Sequence, residues 1–420
     1  MPSTGRQSAG RTQAFCEGLV CDYTYVFTAC NPRLVCQLSE IFEKLGRNEL
    51  FSRAVAKLSA GRVVHLSGLW GSAGALTSSL LGMLTGRLVV VIVPEIDQAD
   101  DFADDVEALT AAAVHLFPAW EEGLAEAGNL NSQAEAERLK LLNMLAGAGG
   151  GATRPAGIIV APVLALLQPV PDARALAHSR LCVGRGESLD PMRLSDWLIS
   201  GGYEHVDQVD QQGQFARRGG IVDVFSPATD QPVRLEFFGD SVESIRTFDL
   251  DSQRSTLQLE SYTIISGLPA GSVGESFARY LPADAVVCIY EPAETFKQAD
   301  ELFSRLACDL PAGDPDRPDG AMNLIRPDEF LKSLEGFARV SMDVFRPAQA
   351  QAGAEEEIID MSFRSLERLS VNTGEAMGEL DSLSRAGEVW VYCENQAEQQ
   401  RFLELIEGSY PGLAGRIQTA

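Results

Sequence analysis

The apolar residues of this chain change their spacing as the sequence proceeds. From Leu34 they recur at helical intervals, through Leu38, Ile41, Phe42 and Leu45. Short continuous apolar runs then alternate with helical stretches. Val63–Ser67, Leu88–Val93, Val114–Phe117 and Ile158–Val160 read as strands, and residues 74–85, Asp97–Leu109 and Ala134–Leu145 as helices. Runs that are apolar at every position are buried on both faces, so the alternation predicts a parallel sheet with helices on each side.

Near residue 200 the period becomes two. Asp190-Pro191 predicts a helix start, with Asp as N-cap and Pro in the first turn; Leu194, Trp197 and Leu198 form its stripe and Gly201-Gly202 ends it. Phe215–Arg218, Ile221–Phe225, Val233–Phe238 and Val242–Phe248 follow as strands, separated by turns at Gly219-Gly220, Ser226–Pro232 and Gly239-Asp240. This is an antiparallel α+β unit inserted after the parallel sheet. Val286–Ile289 restores the buried-strand pattern and leads to a helix at Ala293–Leu306. Asp309–Gly320 reads as a loop and Arg346–Glu357 as a linker, after which Val389–Cys393 and the helix Gln396–Ile406 begin another α/β unit. Residues before Leu34 show no clear period and read as an extension, in part disordered.

Composition narrows the functions. With 420 residues, at roughly 150 residues per domain, about three domains are expected. No run of about 18 apolar residues offers a membrane span, and the start lacks the order of a signal peptide, which points to the cytoplasm. The net charge of −25 works against a strong nucleic-acid surface and favours a protein partner. The cysteines form no Cys-x-x-Cys pair; Cys16, Cys21, Cys30 and Cys36 cluster early, and they read as reduced thiols rather than a metal site.

One segment has the position of a phosphate loop without its chemistry. Gly68-Leu69-Trp70-Gly71-Ser72-Ala73-Gly74-Ala75 joins the first strand to a helix. A working loop needs a second Gly, then a Lys for phosphate and a hydroxyl for Mg²⁺; counted from Gly68, those places hold Ala73, Gly74 and Ala75. The strand that would carry the metal-supporting Asp ends in Tyr290-Glu291 instead. Loop and metal carboxylate are altered together, so the chain is expected to lack catalysis and to need no cofactor.

The stretch Gly202–Arg254 resembles the UvrA-interaction domain shared by two repair-protein families, UvrB and the transcription-repair coupling factors (Mfd). The resemblance rests on Phe215-Ala216-Arg217-Arg218-Gly219-Gly220, Arg234–Asp240, and Ser244-Ile245-Arg246 with Phe248-Asp249. At lower density it continues from about Leu34 to the end, through Phe117-Pro118-Ala119-Trp120-Glu121 and Tyr280–Asp284. UvrB keeps an intact phosphate loop and an aromatic-rich DNA hairpin. Here the loop is degenerate, and between Phe117 and Ser132 only Phe117 and Trp120 are aromatic. The resemblance therefore favours the N-terminal module of the coupling factors, with a UvrB-like P-loop ATPase acting on damaged DNA as the rival.

It implies a degenerate helicase-like α/β domain at 34–180, completed at 266–345, with the UvrA-interaction domain at 181–265 between its halves. Residues 1–33 would be an extension, and 346–420 a linker and an incomplete α/β domain. RNA polymerase and DNA would be engaged through a C-terminal part absent here. The family's Arg contact to UvrA falls on Arg218, with Phe215 as its support or as an apolar anchor, and Arg217 beside it. Glu204-His205 occupies the place of another family Arg, where His205 can donate a hydrogen bond. Tyr203–Arg254 holds five Arg against ten acids, so recognition would rest on a few placed side chains.

Overall fold

The computed structural model describes residues 42–419 apart from 62, 111, 122–129, 131, 148–155, 228, 230, 268–273, 310–323, 347–357, 362, 364–372, 387–388 and 392–395. The expected extension, most of the 34–45 helix, and all but the first residue of the 309–320 loop and of the 346–357 linker lie outside these residues. The chain divides into a large unit, Ile41–Glu379, and a second whose described part begins at Leu380.

The large unit opens with α1 (Glu49–Ser59), whose N-cap Asn48 accepts from Leu50 N. Then come β1 (Val64–Ser67), α2 (Ala73–Thr85), β2 (Val89–Val93), α3 (Ile96–Leu109), β3 (Val114–Leu116), α4 (Gln133–Gly147) and β4 (Ile158–Pro162). A crossing segment holds α5 (Val163–Leu167), β5 (Val170–Pro171), α6 (Ala173–His178) and β6 (Arg180–Gly184). The inserted unit holds α7 (Pro191–Ser200), β7 (Glu204–His205), β8 (Gln214–Arg218), β9 (Ile221–Val224), β10 (Val233–Phe238), β11 (Ser241–Phe248), β12 (Ser255–Leu259) and β13 (Ser261–Ile265). The chain returns through β14 (Gly274–Glu275) and a 3₁₀ turn (Phe277–Tyr280) to β15 (Val286–Tyr290), α8 (Pro292–Asp309), α9 (Pro327–Ser333), β16 (Ala338–Asp343) and β17 (Ile358–Asp360).

Seven strands form a parallel sheet in the order β17-β1-β16-β15-β2-β4-β3. Both faces are covered, as continuous apolar strands require. Val89, Val91 and Val93 of β2 pack with Phe51, Leu80 and Phe102 on one side, whereas Val90 and Ile92 join Leu139 and Leu142 on the other. The Phe117–Trp120 segment is pinned by Arg138. Its guanidinium lies 4.3 and 4.2 Å from the two ring centres and donates to Pro118 O.

Two corrections concern this sheet. Its strand β17 pairs with β1 (His65 opposite Ile358), so the division expected after residue 345 falls inside the sheet. Its interior strand β16 escaped the apolar-run criterion because Arg339 and Ser341 interrupt it.

The inserted unit is a six-stranded sheet, β12-β11-β10-β9-β8-β7, antiparallel except for the β7–β8 pair. α7 starts as expected, with Asp190 Oδ1 accepting from Met192 N, and buries Leu194 and Leu198. The inner face of the sheet (Phe215, Val222, Leu235, Phe237, Ile245) belongs to the same apolar cluster as one face of the parallel sheet. No helix among the described residues is long and apolar enough to cross a membrane.

In the second unit β18 (Val389–Val391) and β19 (Ile417–Thr419) pair in parallel, connected through α11 (Gln396–Ser409); α10 (Thr373–Ala386) comes before them in the chain and runs across the division at residue 380. This is the start of the further α/β unit read from the sequence. Asp381 is its electrostatic centre. It binds Arg416, and Arg385 at 2.7 Å, and the Arg416 hydrogen bond holds its carboxyl below the usual range.

Candidate functional site

Strand register sorts the conspicuous residues of the inserted unit onto two faces. In β8, Phe215 points to the core and Ala216 to the outer face, so Arg217 and Arg218 diverge. One outer row runs Arg218, Ile221, Glu236, Ser244 across four strands. Phe238 follows Glu236 by two residues on that face and is 81% exposed, whereas Phe237 points inward and is 9% exposed. The exposed aromatic, a half-exposed Ile221 and the Arg218 guanidinium thus share the open end of one sheet face.

Tight turns hold that end in place. Gly219 has φ +62°, which favours glycine. Phe237 N donates to Gly220 O at 2.7 Å, and a Cβ on Gly220 would lie 2.9 Å from Phe237 O. The β8–β9 turn therefore rests directly against the strand end that carries Phe238.

A second outer row holds Ala216, Asp223, Arg234 and Arg246. Arg234 grips Asp223 with two hydrogen bonds of 2.7 and 2.8 Å and lies 4.9 Å over the Phe248 ring. That Asp223 bond raises the Arg234 pKa further. Glu236 accepts from Ser244 Oγ at 2.5 Å, with Arg246 3.8 Å away.

The four residues expected at the partner contact do not converge. Arg218 is exposed, and its guanidinium donates to the Asp207 carbonyl. Arg217 is half-buried against Met192 of α7, and its Nε is buried without a hydrogen-bond partner. His205 stacks on Phe215 with ring centres 4.8 Å apart, on the face opposite Arg218. Phe215 is 1% exposed and cannot serve as a surface anchor. Phe238 supplies the exposed aromatic instead. Alternation puts Phe237 with Val233 and Leu235, and Phe238 with Arg234 and Glu236.

The relic phosphate loop is closed by packing. Gly68 and Gly71 adopt φ of +75° and +56°, and α2 begins at Ala73. At Gly74, the place of the phosphate-binding Lys, a Cβ would lie 2.9 Å from the Tyr290 ring and 3.2 Å from Phe102. Those rings meet edge to face, with centres 5.6 Å apart. Ala75, in the place of the metal-binding hydroxyl, is buried. Glu291 sits at φ +46°, and its Oε1 accepts from Val344 N at 2.5 Å, so the carboxylate caps the exit of β16. Beside it, burial and the Glu291 charge push the Asp343 carboxyl up to about 6. Among the described residues no group of three or more His, Cys, Asp or Glu is placed to hold a metal ion.

The family model of the UvrB interaction domain matches residues 181–268. The boundaries span β6 to β13, the unit that carries the outer face. The chain is also similar to proteins named transcription-repair-coupling factor. It is 34% identical to that of Bacillus subtilis over 246 residues, 58% of this chain and 19% of the relative. It is 38% identical to that of Myxococcus xanthus over 226 residues, 51% of this chain and 18% of the relative. For Escherichia coli the figures are 30% over 213 residues, 51% and 18%. The chain thus spans less than a fifth of the length of these curated relatives. The chain is thus similar to the coupling factors, and its residues 181–268 match the UvrB interaction domain.

Proposed function

We propose that this chain is an N-terminal module of the transcription-repair-coupling type, which binds UvrA through the outer face of its interaction domain and has no ATPase activity of its own. The observation that carries the reading is the open face presenting Arg218, Ile221 and Phe238 within a matched UvrB interaction domain. An arginine fork on the same sheet face as an exposed aromatic suits a partner patch with an apolar pocket and a carboxylate at its rim. Arg218 already donates to a backbone carbonyl, so part of its rotamer freedom is lost before binding. The cytoplasm is the compartment this role implies. Engagement of RNA polymerase and DNA, on this reading, belongs to regions of the longer relatives outside the matched stretch.

The rival, a UvrB-like ATPase on damaged DNA, is disfavoured by Tyr290 and Phe102 occupying the space above Gly74. The two readings separate in one pair of assays on the purified chain: titration with UvrA, and nucleotide turnover with and without duplex DNA. UvrA binding without turnover is expected. Turnover at about 1 s⁻¹ or above with no UvrA affinity overturns the proposal.

A further inference from the structure

We propose that a cleft at the neck between the parallel sheet and the interaction domain binds a small phosphate-bearing ligand of the nucleotide class, held by Arg174, Arg180 and Arg279. The chain crosses between the two sheets twice, and the crossings are tied together. β5 and β14 pair, with Gly274 opposite Pro171, and Tyr280 Oη donates to Pro171 O at 2.7 Å. Beside this tie, the end of α4, α6 and the 3₁₀ turn border an open cleft of about 810 Å³. Leu145 and Leu176 contribute to an apolar floor, and the three arginines line the cleft from both crossings.

The charges are unbalanced in a way that suits an anion. Two carboxylates share the lining, and both are engaged. Asp172 caps α6 by accepting from Ala175 N at 2.7 Å, and Glu275 lies 3.6 Å from Arg279. Arg174 and Arg180 are exposed, with no carboxylate partner among the described residues. Two uncommitted guanidiniums in one cleft, in a chain of net charge −25, form a local exception to its acidity. A planar fork binds phosphate oxygens in pairs, and the apolar floor gives a ligand body somewhere to rest. The volume falls within the roughly 300–1,000 Å³ of small-ligand pockets. Arg174 and Arg180 come from the outgoing crossing and Arg279 from the returning one, so a bound phosphate clamps the neck. None of the relic-loop residues lines this cleft.

Calorimetric titration of the full chain with ADP, inorganic pyrophosphate, adenosine and a short oligothymidylate tests the proposal. ADP and pyrophosphate should bind and adenosine should not. Arg174→Ala/Arg180→Ala should weaken ADP by about tenfold or more, as loss of charge-assisted bonds requires. Arg279→Glu, on the other wall, repeats the test if the first variant fails its melting control. Absence of ADP binding, or ADP affinity unchanged in the variants that melt normally, overturns the site. Oligothymidylate binding through the same arginines and far tighter than ADP assigns the phosphate to a strand and overturns the nucleotide class.

Discussion

Phe237 and Phe238 are neighbours with opposite fates, and replacing each by Ala should separate binding from folding. Phe238 is 81% exposed in the free chain, so it contributes little to the core. If it is the apolar anchor for UvrA, complex formation buries most of its ring. Full burial of a Phe side chain is worth about 1.5–3 kcal/mol. Phe238→Ala should therefore weaken UvrA binding by about 2–3 kcal/mol, or roughly thirty- to 150-fold. Its folding stability should stay within about 0.5 kcal/mol of wild type, as for other surface changes. Phe237, 9% exposed, packs in the inner cluster with Phe215 and Leu235. Phe237→Ala should cost about 3–5 kcal/mol of stability through the cavity it leaves. Fluorescence anisotropy with labelled UvrA, alongside urea titrations followed by circular dichroism, reads both quantities. Equal UvrA affinity for wild type and Phe238→Ala would refute the assignment of the outer face. A destabilised Phe238→Ala would refute the register argument beneath it.

Other outcomes follow from the same geometry. Arg218→Ala should lose about 2–4 kcal/mol of UvrA affinity if it pairs with a partner carboxylate in a dry contact, while Arg217→Ala, on the opposite face, should lose much less; parallel titrations check this. Asp223→Ala leaves the half-buried Arg234 without its carboxylate, and urea titration should show a loss of about 3 kcal/mol. Gly74→Lys should not create nucleotide binding by a fluorescent analogue, and should cost about 1–3 kcal/mol from overpacking against Tyr290. Asp343, with its folded pKa raised from 3.8 to about 6, retains its proton in the folded state after the unfolded chain has lost its own. Its contribution to stability is therefore complete below pH 3.8 and falls as pH rises through 6. Asp343→Asn should be more stable than wild type at neutral pH, with the difference fading toward acid in urea titrations across pH.

Much of the outer face could be read from local sequence. Period-two alternation and the glycine pairs placed β8 to β11 within a residue of their observed ends. What was not legible depended on pairing between distant segments. Alternation with Arg234 and Glu236 sets Phe238 on the charged face, but it does not show that His205 lies across the sheet from Arg218. The relic loop was legible as a missing Lys. The reason for Gly at position 74 was not, because the rings above it come from positions 102 and 290. β17 was missed because only Ile358 and Ile359 are apolar there, between Glu357 and Asp360, and their place is fixed by pairing with β1.

The central claim is that UvrA covers the open end of one sheet face. Hydrogen exchange of the full chain, measured with and without UvrA, tests this most directly. Amides around the two turns at that end, 218–221 and 238–241, should exchange more slowly in the complex, while those of Gly68–Ala75 stay unchanged. Unaltered exchange at both turns, or slowing confined to the relic loop, would contradict the account.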